Sequence, residues 1–466
     1  MRIILKLFYF VLLISLTALS YYGGKSAEAL LTFTAVADVP MSGVKDVATL
    51  NHPGRFQSEA REQIDLQVQH LMGVFQSDTF QKAIGSRGTI GETYDIKYLK
   101  IEDGSKEGRK RLAYRFRGKS VFEKAIFDRN RKATVPIKLP ISPDLIYKQS
   151  SEGDHNPCTD EHYNTEGDFW YFWDPDQKGC GLKGDDKQVY RGEGLLSRID
   201  KLKRPTYPEY NKLLGDNGNS NAFDIRIFFG YIDEKVNIKP NRRDDAFRSM
   251  LDLEKSLKDQ DFKKTEENVG FRETKSGMVK DGGNILRKYQ KEINYSKLKS
   301  DPVDVRIQVL LSDTSVEAAE RSDKPDLTFH HYLIPAFKEA DLLLYDGHSG
   351  LGANLDLKRL DQFRFDKDKY QIFVFNGCST YPYYNGAFFA AKGGRRLNNL
   401  EVVTSGLPTL SSTSASNMAS IMNRFLDGKL ATYQTIMREL EDSNGDAGTY
   451  LSAVNGDEDN RWRPKK

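Results

Sequence analysis

Two short apolar runs, each ending at a polar segment that contains glycine, most constrain the fold of this chain. The first run, residues 342–345, leads into the sequence DGHSG, and the second, residues 372–375, leads into NGCST. Runs this short that are apolar throughout are typical of buried strands in a parallel sheet. The 26 residues between them are enough for the crossover that parallel pairing requires, and residues 355–363 can form about two helical turns. We therefore predict two neighbouring parallel strands.

A histidine and a cysteine follow these two predicted strands. His348 comes just after the first strand and Cys378 just after the second. The carboxyl ends of parallel neighbours lie at the same edge of a sheet, where open α/β sheets bind their ligands. The pattern therefore predicts that a general acid/base and a sulfur nucleophile face one cleft. Adjacent glycines allow tight turns and close approach of the backbone.

The chain has 466 residues, which is too long for one compact core, so we expect two or three domains. From residue 220 to 455, strand patterns alternate with helix patterns, which predicts an α/β layered domain with a mainly parallel sheet. A buried strand pattern at residues 400–404 and a helix pattern around residues 418–426 belong to this part. Residues 263–283 are polar and contain glycine, and we expect a loop there.

Residues 30–215 have a different character and predict a β-rich domain. Alternating residues at 94–101 and 112–117 indicate a β-hairpin, and a helix is expected over residues 58–75. Residues 135–140 contain two prolines and fit an edge strand, because proline cannot donate a hydrogen bond within a central strand.

The amino terminus has the form of a secretory signal peptide. Arg2 and Lys6 precede an apolar stretch over residues 7–20, and Ala27-Glu28-Ala29 has the small-x-small form of a cleavage site. We therefore predict a signal peptide over residues 1–29 and an exported protein, periplasmic or extracellular. The alternative is an uncleaved anchor helix, since the apolar stretch is nearly long enough to lodge in a membrane.

The net charge of the chain indicates whether it is suited to bind nucleic acid or an anionic membrane. The formal net charge is +3, and removal of residues 1–29 takes away three basic residues and one acidic residue, which leaves +1. A nearly neutral mature protein has no electrostatic reason to bind nucleic acid or an anionic membrane. We therefore expect neither partner after signal cleavage.

The chain contains three cysteines, and their spacing suggests different roles. In an exported protein, Cys158 and Cys180 are expected to form a disulfide, which would stabilise the fold by about 3 kcal/mol in the chain-entropy model. The alternative is a zinc site that adds His155 and His162, although the spacing matches no common finger pattern. We favour the disulfide and predict no metal and no cofactor. Cys378 is left over, as a reactive thiol or as a buried inert one.

The segments 342–350 and 372–380 resemble the caspase–gingipain–legumain clan of cysteine peptidases, in which one hydrophobic strand ends in His-Gly and a second ends in the catalytic cysteine. The run at 400–406 and the helix that stops at Asp427-Gly428 are similar to the bacterial gingipain-like branch. The resemblance covers roughly residues 220–455. In this chain Ser349 separates His348 from the following glycine.

The resemblance implies a mechanism. Cys378 would attack a peptide carbonyl as thiolate, and His348 would protonate the leaving amine and later activate water. The backbone N–H groups of Ser349 and Cys378 would stabilise the oxyanion. Tyr381, Ser405 and Gly406 are candidates for the substrate pocket, with packing of the sheet edge as the alternative role.

Asp346 could orient His348, but we expect a solvated loop carboxylate.

Two classes of function follow. The first is a secreted or periplasmic cysteine endopeptidase that uses a His348/Cys378 dyad on a protein or peptide substrate. The second is a non-catalytic binding or surface protein that keeps a peptidase-like scaffold.

Overall fold

The structure, a computed structural model, describes most of the chain after residue 24. The described ranges are 25–127, 130–151, 156–160, 163–182, 187–199, 205–216, 222–233, 239–315, 317–320, 323–357, 365–384, 386–393 and 399–464. The predicted signal peptide lies on residues outside these ranges, except for its last five residues. The proposed cleavage motif, residues 27–29, lies inside a paired β-strand. Two compact units make up the chain, and the first spans Ser26–Asp200.

The described residues of the first unit form one antiparallel sheet of five strands, in the order β2-β3-β1-β5-β4. The strands are β1 (Ser26–Pro40), β2 (Gly88–Asp103), β3 (Arg109–Glu123), β4 (Lys132–Pro140) and β5 (Val189–Arg198). The helices are α1 (Val47–Asn51), α2 (Arg55–Gln76), α3 (Asp78–Ile84) and α4 (Ile146–Gln149). The predicted hairpin is thus confirmed as β2 and β3, and the predicted edge strand as β4.

Helix α2 packs on this sheet and confirms the predicted helix. Its buried positions include Ala60, Ile64, Val68 and Leu71, which recur at helical spacing. The buried Gln67 amide donates to Pro140 O at 2.6 Å, and so ties the helix to the end of β4. Strand β1 was not expected, because alanines occupy four of its buried positions and alanine is a weak strand former.

The predicted disulfide is confirmed, since Cys158 and Cys180 are bonded across a separation of 22 residues. The loop that it closes contains the aromatic block Phe169–Phe172, whose first three side chains are buried. Trp173 is fully buried and packs edge-on against His70 at a ring distance of 5.0 Å. This aromatic block therefore belongs to the core of the first unit.

The boundary between the units falls near residue 200, not near 215. Residues 205–216 pack with the second unit, which continues to the carboxyl terminus. The Glu209 amide donates to Tyr370 Oη at 3.0 Å, and Tyr210 Oη donates to Ala431 O at 3.1 Å. Long-range contacts of this kind decide the boundary, and local composition does not reveal them.

The second unit is built on a sheet whose described strands number eight, in the order β13-β12-β11-β10-β6-β9-β8-β7. The strands are β6 (Ala222–Gly230), β7 (Lys263–Thr274), β8 (Gly277–Ile293), β9 (Val303–Ser312), β10 (Leu342–Asp346), β11 (Gln371–Asn376), β12 (Leu400–Thr404) and β13 (Ala453–Asn455). The five central strands, from β12 to β9, are parallel, and the outer strands pair antiparallel. The sheet is therefore mixed, with a parallel centre.

Helices cover both faces of this sheet. They are α5 (Asp245–Asp259), α6 (Glu317–Glu320), α7 (Thr328–Glu339), α8 (Gly386–Lys392), α9 (Ser414–Leu426) and α10 (Tyr433–Ser443). Successive residues of one strand join different cores: Leu342 and Leu344 pack with α5, α9 and α10, whereas Leu343 and Tyr345 pack with α7 and α8. Burial on both faces explains why β10 and β11 are apolar throughout. The expected α/β class is confirmed.

One local expectation was wrong. Residues 263–283 are not a loop, since β7 and β8 form a long antiparallel hairpin there. Most side chains of β7 are at least partly exposed, so the strand lacks the apolar alternation that reveals half-buried strands. Helix α9 begins at Ser414, and the Ser416 hydroxyl donates back to Thr413 O. Of the crossover predicted over 355–363, residues 358–364 lie outside the described part of the chain.

Candidate functional site

Strands β10 and β11 are parallel neighbours, as predicted, and they end at the same level. Their register pairs Leu342 with Ile372 and Asp346 with Asn376. His348 follows Asp346 by two residues, and Cys378 follows Asn376 by the same number. The two chemical groups therefore leave the sheet at one edge, from equivalent positions on adjacent strands.

This edge is also where the strand order reverses. In chain order the parallel strands are β6, β9, β10, β11 and β12, and in space β6 lies between β9 and β10. The gap between the ends of β6 and β10 is thus the topological switch point at which open α/β sheets bind ligands. His348 lies at this gap.

Two glycines let the loops after these strands touch. A Cβ on Gly377 would lie 2.7 Å from Gly347 O and 3.7 Å from the Ser349 nitrogen. Gly347 has a φ of 156°, and a Cβ there would lie 3.1 Å from Gly230 Cα at the end of β6. The Gly347 amide donates to Asn376 O at 3.3 Å. The histidine loop is therefore in main-chain contact with its neighbours on both sides.

The imidazole of His348 is exposed, and one of its nitrogens is held by the main chain. Nε2 lies 3.0 Å from Ile232 O, two residues beyond the end of β6. Because a carbonyl oxygen only accepts, this contact requires the proton on Nε2. Neutral His348 is then left with Nδ1 as a proton acceptor. Ile232 was not identified from the sequence, since a main-chain carbonyl carries no residue signature.

The Cys378 thiol is half-buried, and Sγ donates to Thr409 O at 3.6 Å. Burial raises the pKa of this thiol, and hydrogen-bonding interactions with Thr409 oppose the rise only in part. The nearby Asp346 carboxyl raises it further. The structure therefore describes a resting thiol and not a thiolate at neutral pH.

The residue after Cys378 has a strained backbone. Ser379 has a φ of 49°, in the left-handed region that side chains other than glycine rarely adopt. Its amide donates to Leu407 O at 3.1 Å, and its side chain is fully buried. The hydrogen bond to the segment after β12 thus stabilises the strained turn. Strained backbone of this kind is common at functional sites.

The amides predicted to bind an oxyanion are available. Within the described residues, neither the Ser349 nor the Cys378 N–H has a hydrogen-bond acceptor, whereas the neighbouring Ser379 amide does. An unpaired donor near buried main chain is costly unless water or a ligand satisfies it. These two donors border the contact between the histidine and cysteine loops.

Asp346 does not lie on a solvated loop. It is the last residue of β10 and is 2% exposed, and Asn376 Nδ2 donates to its Oδ1 at 2.6 Å. Burial raises the pKa of the Asp346 carboxyl to about 7, against the effect of hydrogen bonds from Asn376 and Ser414. Asn376 Oδ1 accepts in turn from Asn417 of α9. This carboxyl is part of a buried polar network behind the loops.

The three pocket candidates lie at the same edge but are buried. Ser405 donates two hydrogen bonds to the loop that carries Cys378: its N–H donates to Thr380 Oγ1 at 2.9 Å, and its hydroxyl donates to Gly377 O. The Tyr381 amide donates to Ser405 O, and the Gly406 amide donates to Tyr450 O at 2.8 Å. These contacts fix the cysteine loop, and substrate binding by the three residues stays a prediction.

The zinc alternative for the first unit is not supported by the described residues. Cys158 and Cys180 are bonded to each other, and His155 and His162 lie outside the described ranges. In the part of the chain that the structure describes, no group of three or more His, Cys, Asp or Glu side chains is placed to hold a metal ion.

Comparison with known proteins adds no relative. No family model matches the sequence. A search of curated proteins also found no significant match. Among the described residues, no helix has the length and apolar character needed to cross a membrane. The interpretation of the site therefore depends on its geometry.

Proposed function

We propose that the second unit is a cysteine endopeptidase of the caspase–gingipain–legumain type, in which His348 and Cys378 act on a peptide bond. The observation that carries this proposal is the parallel, in-register pairing of β10 with β11, which delivers an imidazole and a thiol to one sheet edge. The contact between the loops at Gly347 and Gly377 supports it.

The chain's own groups suggest how the reaction proceeds. With Nε2 held by Ile232 O, Nδ1 of His348 takes the thiol proton as Sγ of Cys378 attacks the carbonyl carbon. The carbonyl oxygen becomes an oxyanion that the Ser349 and Cys378 N–H groups stabilise. His348 then gives its proton to the leaving amine, and later accepts one from the water that hydrolyses the thioester.

The protein is proposed to act outside the cytoplasm, in the periplasm or the extracellular space. The Cys158–Cys180 disulfide supports this, since disulfides persist in oxidising compartments. The apolar segment at residues 7–20 supports export as well. Cys378 is the one cysteine outside this disulfide.

One observation favours the alternative, a binding protein without catalysis. The Cys378 thiol donates to Thr409 O and has a raised pKa, so the resting site does not hold an activated thiolate. A peptidase of this form would need substrate to displace the hydrogen bond to Thr409. A binding protein would keep it.

Peptide-library cleavage by the full chain tests the proposal. The wild-type protein is expected to cleave a subset of peptides, and Cys378→Ala and His348→Ala are expected to lower cleavage by about 10³-fold or more. The control variant Ser276→Ala changes an exposed turn hydroxyl between β7 and β8 and should leave cleavage unchanged. Cleavage that persists in Cys378→Ala would contradict the proposal, and no cleavage by the wild-type protein would favour the alternative.

A further inference from the structure

The peptide group between His348 and Ser349 is held through its carbonyl by two side chains. Tyr345 Oη donates to His348 O at 2.5 Å, and Asn354 Nδ2 donates to the same oxygen at 2.8 Å. Tyr345 is fully buried in the core that contains α7 and α8, and this packing fixes the position of its ring and hydroxyl. Thr314, two residues after β9, also holds this hydroxyl, since its Oγ1 lies within hydrogen-bonding distance at 3.1 Å.

Fixing this carbonyl also fixes an amide. No cis peptide bond occurs in the described chain, and in a planar trans peptide group C=O and N–H point in opposite directions. The two hydrogen bonds to His348 O therefore set the direction of the Ser349 N–H. That N–H has no protein acceptor among the described residues, and its nitrogen lies near Gly377, directly before Cys378.

We infer that Tyr345 and Asn354 are positioning residues that aim the Ser349 N–H at the oxyanion formed when Cys378 attacks a carbonyl. The inference rests on the proposed function, and it names two residues whose role acts through the backbone. A donor of this kind is effective only when it is oriented before the reaction, because reorientation during the reaction costs free energy. A rotation of this peptide group would turn the N–H away.

Tyr384 offers a matched control within the same loop. Its hydroxyl donates to Ser349 O at 2.8 Å, and it is as buried as Tyr345. Ser349 O belongs to the next peptide group, whose amide is that of Gly350. Loss of the Tyr384 hydroxyl therefore removes a hydrogen bond of the same type without freeing the peptide group that carries the Ser349 N–H.

Two reactions of Cys378 in the full chain separate the oxyanion donor from the nucleophile. In both reactions His348 takes the proton of the thiol. With iodoacetamide, an S–C bond forms as the C–I bond breaks, iodide leaves and no oxyanion arises. With p-nitrophenyl acetate, Sγ attacks the ester carbonyl, a tetrahedral oxyanion forms, p-nitrophenolate leaves and the acetyl group stays on sulfur until water removes it. The ratio of the acylation rate to the alkylation rate measures the contribution of the oxyanion donors.

Tyr345→Phe and Asn354→Ala are each expected to lower this ratio about tenfold, through slower acylation, while alkylation changes less than twofold. Tyr384→Phe is expected to change the ratio less than twofold. Three results would overturn the inference. The ratio could be unchanged in both test variants, or the acylation and alkylation rates could fall equally. Tyr384→Phe could also lower the ratio as much as the test variants do. Because Tyr345→Phe and Asn354→Ala remove different groups from the same contact, misfolding of one leaves the other as the test.

The experiment also distinguishes failure of this inference from failure of the proposed function. If the proposed function is wrong, the alkylation rate of Cys378 does not depend on His348. The variant His348→Ala measures that dependence independently of the ratio. The inference would then fall together with the proposed function. If alkylation depends on His348 but Cys378 is not acylated, the dyad stands and the role of Tyr345 and Asn354 is overturned.

Discussion

At the end of β10, the Asp346 carboxyl is buried next to the proposed nucleophile, and this has a measurable consequence. Burial raises its pKa to about 7, whereas the unfolded chain has the ordinary value near 4. Between these two pH values the folded state holds a proton that the unfolded state has lost. The stability due to neutral Asp346 is therefore complete below about pH 4 and is lost as the pH rises through about 7.

Asp346→Asn should remove this loss. Between pH 5 and pH 8, urea unfolding of the wild-type protein should show a fall in unfolding free energy that is larger than that of the variant, by about 1 to 4 kcal/mol. Asp252→Asn changes an exposed carboxylate on α5 and should keep the wild-type pH dependence. Equal pH dependence in the wild-type protein and Asp346→Asn would show that Asp346 is ionised in the folded state.

The residues of the candidate site were predictable to different degrees. The strand-end rule is local, so His348 and Cys378 could be placed at one edge from the sequence. The burial of Asp346 could not, because it depends on Asn376 in the next strand and on the start of α9, about 70 residues later. Tyr345 was assigned to an apolar strand, and its hydroxyl contact with His348 O was missed.

At the scale of elements, the approach of two strand ends depends on Gly377. A methyl group there would meet Gly347 O at 2.7 Å, and because both groups are part of the backbone, the loops would have to separate. The β10–β11 pairing itself ends one residue earlier and would remain. The effect of such a substitution is thus confined to the geometry between His348 and Cys378.

Gly377→Ala is expected to slow the iodoacetamide reaction of Cys378 by about 10- to 100-fold, because catalytic groups lose efficiency when displaced by about 1 Å. Gly215→Ala is the control, since a Cβ at Gly215 has no atom within 4 Å. Mass spectrometry of the alkylated protein measures both rates. A Gly377→Ala protein that reacts like the wild-type protein would show that the loop contact does not matter.

Elements with a strong apolar pattern were predicted well, and those stabilised by distant pairing were not. Helix α2 has apolar residues at helical spacing, and strands β10, β11 and β12 are short, mostly apolar runs. The β7–β8 hairpin is largely polar, and its stability comes from pairing with β9, which lies on the inner side of β8. Strand β1 lies in the middle of its sheet and pairs with β3 over 15 residues, a long-range fact that its alanine-rich sequence does not reveal.

At the scale of the whole molecule, the disulfide and the candidate site belong to different compact units. The Cys158–Cys180 bond closes a loop around the buried aromatic block of the first unit. Cys378 lies in the second unit. The structural disulfide and the cysteine proposed as catalytic thus belong to different compact units.

Replacing both disulfide cysteines, as Cys158→Ala/Cys180→Ala, should lower the unfolding free energy of the first unit by about 2 to 4 kcal/mol, since the open chain gains entropy when unfolded. Urea unfolding followed by tryptophan fluorescence measures this change, because Trp170 and Trp173 lie within the closed loop. The same variant should keep the alkylation rate of Cys378. An unchanged urea midpoint would show that the disulfide does not stabilise the fold.

The pH dependence of Cys378 alkylation by iodoacetamide tests the central claim most directly. If an imidazole and a thiol share one sheet edge, the wild-type protein should react at native conditions, and His348→Ala should lower the rate about tenfold or more near pH 7 and change the shape of the profile. Reaction of Cys378 only after denaturation, or identical profiles for the wild-type protein and His348→Ala, would contradict the account.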